Sequence, residues 1–132
     1  MTIIDCVLLT DTGKRVRSTN PIGGIIPVYS DGNGNEYHLS NVDLTLESGE
    51  ILKQAPVGSM WSADWYDGFY KPGPDGIWLI VKTPGGNWFV DGPSSNGSGW
   101  TREGTAPNVT VTPSILQSSY HGFLTGGKLI SV

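Results

Sequence analysis

The sequence predicts a mainly β protein: a single small antiparallel β domain, either a sandwich or a partly open barrel. Long Gly/Pro/Trp-rich loops and at most one short helix complete that expectation. Three observations carry it. The chain has 132 residues, of which 19 are Gly and nine are Pro, well above the usual shares of about 7% and 5%. Each interior Gly costs a helix ~1 kcal/mol and each Pro ~3 kcal/mol relative to Ala, which excludes a helical bundle. The apolar residues fall in short β-branched and aromatic runs between turn signals. Finally, Ile77-Trp78-Leu79-Ile80-Val81-Lys82 and Asn87-Trp88-Phe89-Val90-Asp91 flank Thr83-Pro84-Gly85-Gly86, two β-rich runs about a tight turn, which read as a hairpin.

The other elements follow in order. Thr2 to Leu9 is β-branched and apolar and reads as a strand. Asp11-Thr12-Gly13-Lys14 reads as a turn into Arg15-Val16-Arg17-Ser18-Thr19. Ile25-Ile26-Pro27-Val28-Tyr29 and Glu36-Tyr37-His38-Leu39 flank Asp31-Gly32-Asn33-Gly34, whose Asp-Gly and Asn-Gly pairs accept positive φ. Pro27 places its run at an edge or a bulge. Val42 to Leu46 alternates at period two, and Gly49 breaks any helix attempted from Asn41 to Gln54. Met60 to Trp65 reads as a strand, and Tyr66 to Gly76 as a turn-rich loop. The continuous apolar run Ile77–Val81 implies burial on both faces. Gly92 to Gly104 reads as a second loop, and Asn108 to Thr112 as a strand stopped by Pro113. Ser114 is placed to cap one helical turn over Ile115 to Ser119. The apolar pairs around Gly126-Gly127 read as a closing hairpin. No repeat or linker interrupts the chain, so residues 1–132 are taken as one domain: N-terminal strands over 1–55, then a region rich in Gly and Trp over 56–132.

Composition narrows the function. The formal charge is −4, and the one basic cluster, Lys14-Arg15-Arg17, is too small for a phosphate-binding patch, so duplex nucleic acid is not expected. No apolar run reaches the ~20 residues of a membrane span. Met1 to Cys6 carries no basic n-region, so no signal peptide is expected, and the lone Cys6 forms no internal disulfide, in keeping with a reducing cytoplasm. The only Cys and His residues, Cys6, His38 and His121, lack zinc-site spacing. Asp31 to Glu36 resembles the start of a Ca²⁺ loop, but Val42 stands where its bidentate Glu belongs. There is no Gly-x-Ser-x-Gly elbow and no phosphate-cradling Gly-Lys-Ser/Thr loop. No catalytic residue, metal or cofactor is therefore expected.

The feature above this background is aromatic density. All five tryptophans lie between Trp61 and Trp100, interleaved with Asp and Asn. Aromatic rings supply flat apolar area and a π-face on which a sugar or base stacks, while neighbouring polar groups bond its edge. The candidate ligand-binding residues are Trp61, Asp64, Trp65, Tyr66, Asp91, Asn96 and Trp100, with Arg102 as the partner for a phosphate and Tyr120 and His121 closing the site. The alternative for each ring is the core, and the hairpin tryptophans Trp78 and Trp88 are assigned there.

From Pro56 to Gly127 a series of motifs adds a second line. It comprises Gly58-Ser59-Met60-Trp61 with Ala63-Asp64-Trp65, Gly73-Pro74-Asp75-Gly76, Thr83-Pro84-Gly85-Gly86, and Val90-Asp91-Gly92-Pro93 with Ser95-Asn96. Ala106-Pro107-Asn108-Val109-Thr110-Val111 and Tyr120-His121-Gly122-Phe123-Leu124 complete it. In this order they resemble an uncharacterised family of small tailed-phage and prophage proteins. The resemblance implies a phage origin and an accessory role in the cytoplasm of an infected bacterium, or in the virion. Members of that family often carry cysteines near the Asn, the following Trp and the Tyr-His-Gly motif, a set that implies metal. Gly97, Gly99, Gln117 and Ser118 stand there in this chain, which leaves His121 as the remnant.

Three functional expectations result. The leading one is a non-enzymatic accessory protein that binds a small polar ligand, such as a nucleotide-like host-defence signal, in an aromatic-lined pocket. The second is a virion-associated or host-protein-binding protein, compatible with a homo-oligomer. The third is a small hydrolase or carbohydrate-binding module using His121.

Overall fold

The computed structural model describes residues 2–20, 22–40, 42–62, 78–90, 101–117 and 120–131, and its regular structure is β throughout. The strands are β1 (Ile3–Asp5), β2 (Val7–Leu8), β3 (Thr10–Asn20), β4 (Ile22–Ser30), β5 (Glu36–His38), β6 (Leu44–Leu46) and β7 (Ile51–Gln54). They continue with β8 (Ser59–Ser62), β9 (Leu79–Thr83), β10 (Gly86–Phe89), β11 (Thr101–Thr105), β12 (Asn108–Gln117), β13 (Tyr120–Thr125) and β14 (Lys128–Ser131). Contacts divide the chain into two compact units: Met1–Leu8 together with Val57–Val132, and Leu9–Pro56. The chain read as one domain in sequence thus holds a sandwich and a barrel, and its first eight residues belong with its second half.

The first unit is the sandwich. A five-stranded sheet ordered β1-β14-β13-β12-β11 faces a four-stranded sheet ordered β10-β9-β8-β2. Their inner faces share one core, in which Met60, Leu79, Val81 and Trp88 meet Val111, Ile115, Leu124 and Leu129. Alternation along the strands produces this division. Met60 pairs with Val81 and Val81 with Trp88, so that row faces the core; Trp61–Ile80–Phe89 is the next row and faces the other way. All five residues of β9 are buried, as the unbroken apolar run implied.

The sequence read Thr2 to Leu9 as one strand; the structure breaks it at Cys6. β1 pairs antiparallel with β14, and β2 pairs parallel with β8. The Cys6 N–H donates to Gly127 O (2.8 Å) and the Val7 N–H to Gly58 O (3.0 Å), so the six residues Ile3–Leu8 tie both sheets. Gly58 is required at this crossing: its φ is +97°, and a Cβ there would lie 2.8 Å from Asp5 O. A second correction concerns the helical turn expected after Ser114. β12 runs through Gln117 instead, and Pro113 falls in the register irregularity between Val111 and Ile115, where the ladder asks no N–H of it.

The second unit is a closed five-stranded barrel ordered β3-β4-β5-β7-β6, with β6 returning to β3. Every pairing is antiparallel except β5 with β7. Counted within the unit, the order is 1-2-3-5-4 with the third strand parallel to the fifth, the Greek-key arrangement of OB-type barrels. Val28, His38, Leu44 and Leu52 are buried. The turn expected at Asp11 to Lys14 is instead a bulge inside β3. Asp11 Oδ1 accepts the Gly13 N–H (2.9 Å) and Thr12 Oγ1 the Lys14 N–H (3.1 Å), so the side chains satisfy the backbone where the ladder skips. Asp31 closes its predicted turn in the same manner, accepting the Asn33 N–H at 2.8 Å.

Candidate ligand-binding site

Four of the ten candidate residues lie among those described: Trp61, Arg102, Tyr120 and His121. Asp64, Trp65, Tyr66, Asp91, Asn96 and Trp100 lie outside the described residues.

The four are not gathered at one point. Trp61 sits on the outer face of the four-stranded sheet, 1% exposed, and its indole Nε1–H has no hydrogen-bond acceptor. Arg102 pairs with Val111, and Val111 with Leu124, so the guanidinium rises from the inner face of the five-stranded sheet at its edge strand, 7% exposed. Tyr120 and His121 alternate on β13, so the two residues expected to close the site together point to opposite faces. Tyr120 is in the core and His121 is exposed. The Tyr120 ring lies over Gly122, whose absent Cβ would otherwise come within 2.7 Å of Tyr120 Cζ. The phenol OH is buried without a partner.

The four-stranded sheet does bring the anchors of the two aromatic stretches together. Ser62, the last residue of β8, pairs with Leu79, the first of β9; the Val90 N–H, just past β10, donates to Leu79 O at 3.0 Å. Residues 63–77 and 91–100 are therefore rooted side by side at one end of this sheet, one residue beyond Trp61 on the first side. Sequence reasoning missed two residues of the same face. Lys82 and Ser59 share Trp61's side by alternation on β9 and β8, and they are 7% and 2% exposed. A lysine beside a Pro-Gly turn reads as a solvated strand end. The available signal was its position two residues after Ile80 in a strand buried on both faces.

The remaining chemistry is spare. Among the described residues no group of three His, Cys, Asp or Glu side chains is placed to hold a metal. Burial pushes the Cys6 thiol up to about 11, partly offset by a hydrogen bond from the Leu129 backbone, so it is a poor nucleophile. On the barrel, Lys14 pairs with Glu36 (2.6 Å), Arg15 with Asp11 (2.9 Å) and Lys53 with Asp43 (3.3 Å). These pairs hold Asp11 and Asp43 below the usual carboxylate range, mainly through the Arg15 side chain for Asp11 and the Gln54 N–H for Asp43. Cations so engaged offer little to a phosphate backbone. The chain matches no family model, no curated protein and no solved structure.

Proposed function

We propose that this chain is a phage-derived, non-enzymatic accessory protein acting in the infected bacterial cell, and that it binds a small polar ligand beside the four-stranded sheet of the sandwich. The observation that carries the reading is the common root of the two aromatic stretches. They hold Trp65, Tyr66 and Trp100 with Asp64, Asp91 and Asn96; both start at the same end of the sheet, the first directly after Ser62 and so next to Trp61, whose buried N–H lacks an acceptor. A buried donor without a partner costs about 1–3 kcal/mol; a ligand acceptor would remove that cost. Aromatic residues interleaved in sequence with Asp and Asn suit a planar, polar molecule such as a nucleotide.

The test is native mass spectrometry of the freshly purified protein against its denatured mass. Extra mass of a few hundred daltons, lost on denaturation, identifies the ligand class. Trp65→Ala and Trp100→Ala should then abolish that mass while melting within a few degrees of wild type. Normal binding combined with much lower melting would make these rings core residues and end the reading.

A second reading, an interaction protein on a virion or host surface, is favoured by the outer face of the five-stranded sheet. There Ile3 (57% exposed) lies opposite Ile130, and Ile130 opposite Phe123 (43% exposed), an apolar row across three strands. Sizing chromatography addresses it: a closed assembly that carries no small molecule favours this reading over the first.

A further inference from the structure

We infer that the barrel has a binding site of its own: a cleft beside the β6–β7 turn that takes a small zwitterion with an apolar side chain, the chemistry of a free α-amino acid. Arg17 receives its carboxylate and Glu47 its ammonium. The inference is independent of the aromatic-site reading, since every residue it uses lies in the Leu9–Pro56 unit.

The strand pattern makes the cleft. β3 pairs with β6 at Asn20–Thr45 and Ser18–Leu46, and the Glu47 N–H then donates to Arg17 O at 3.0 Å. There β6 ends, while β3 stays paired with β4, Arg17 opposite Ile25 and Val16 opposite Ile26. The chain turns back into β7 and leaves a cleft of about 260 Å³ lined by Val16, Arg17, Leu46, Glu47 and Ser48. The turn is held by its own hydrogen bonds. The Leu46 N–H donates to Glu50 O (2.8 Å), the Gly49 N–H to Leu46 O (2.9 Å) and the Glu50 N–H to Ser48 Oγ (3.3 Å). With the Glu47–Arg17 bond, these fix the backbone of the lining before any ligand arrives, which lowers the ordering cost of binding.

The charges in the cleft are those the barrel leaves over. Lys14, Arg15 and Lys53 are each engaged by a carboxylate, from Glu36, Asp11 and Asp43 respectively. Arg17, the third member of the basic cluster, has no carboxylate partner among the described residues, and Glu47 has no cation. Their backbones are hydrogen-bonded to one another, yet the two side chains form no ion pair. A guanidinium receives a carboxylate through two parallel hydrogen bonds, and a carboxylate accepts from an ammonium. Opposite charges in one small cleft match a molecule that carries both signs close together. Val16 and Leu46, both half-buried, supply an apolar wall for its side chain. Sites for drug-sized ligands run to roughly 300–1,000 Å³, so this smaller cleft selects a molecule of amino-acid size.

The experiment titrates the full chain by calorimetry with three probes: L-leucine, N-acetyl-L-leucine and L-leucinamide. They carry both charges, the carboxylate alone and the ammonium alone. The expected result is saturable binding of leucine, at least fivefold tighter than either analogue. Arg17→Met should weaken leucine to the level of leucinamide, and Glu47→Gln should weaken it to the level of N-acetylleucine. Both variants should melt with wild type, because both side chains are exposed. Equal binding of the three probes by wild type overturns the inference, and so does binding of none. A folded variant that keeps the full preference for leucine overturns it as well. The wild-type comparison decides the matter even where a variant proves unstable. None of these outcomes touches the aromatic-site reading, which Trp65→Ala and Trp100→Ala test separately.

Discussion

Tyr120 and Gly122 show how a two-residue relation decides local structure. The ring lies along its own strand over the position where any other residue would place a Cβ, and that Cβ would also come 2.6 Å from Ile130 O. Overpacking of this kind costs roughly 1–3 kcal/mol. Gly122→Ala should therefore lower the melting temperature of the sandwich by several degrees, measured by tryptophan fluorescence, while Phe123→Ala on the exposed side should change it little. Cys6 gives a second prediction. Its thiol titrates near 9.0 when unfolded and about 11 when folded, so the folded chain holds the proton more tightly. The resulting stabilisation is complete below pH 9 and is lost as pH rises through 11. Between those values wild type should lose more stability than Cys6→Ala, as followed by thermal melts. In the folded chain the thiol should also react with a disulfide reagent far more slowly than in denaturant.

At the scale of elements, what was legible in the sequence was local. The β9–β10 hairpin is signalled by two β-rich runs and Pro84-Gly85 between them, and the β13–β14 hairpin by Gly126-Gly127; both pairings are as read. Elements whose shape depends on distant partners were not legible. Thr2 to Leu9 has the composition of one strand, but β14 and β8 each claim half of it. Asp11-Thr12-Gly13 has turn chemistry, yet β4 continues to pair beyond it and converts the turn into a bulge. Ser114 has a capping side chain, but β13 recruits the following residues into a sheet. The same division holds for the candidate site. Aromatic density is visible in composition, whereas the burial of Lys82 beside Trp61 depends on a register set across three strands. The strap formed by β1 and β2 yields a prediction at this scale. Deleting residues 2–7 removes one strand from each sheet of the sandwich and the Cys6 and Val7 backbone bonds. The truncated chain should show red-shifted tryptophan emission, because all five tryptophans lie between Trp61 and Trp100.

The whole molecule has one more property, in its order of assembly on the ribosome. The barrel is a contiguous stretch, Leu9–Pro56, so all five of its strands have been synthesised once residue 56 is made. The sandwich is split around it, and its first strand pairs with its last: Asp5 and Lys128, joined by an ion pair, are 123 residues apart in sequence. Loop closure over so long a span delays the contact even in a free chain. On the ribosome, β1 must wait through synthesis of the whole barrel and most of the sandwich before β14 exists. Its apolar residues, Ile3 and Ile4, emerge before the other strands of the two units and pair with the last of them. The barrel can form cotranslationally, whereas the sandwich that bears the candidate site reaches its complete form only after β14 has emerged. A nascent chain arrested after residue 90 would thus contain every barrel strand beside an unclosed sandwich, with the core face of β8–β10 still uncovered.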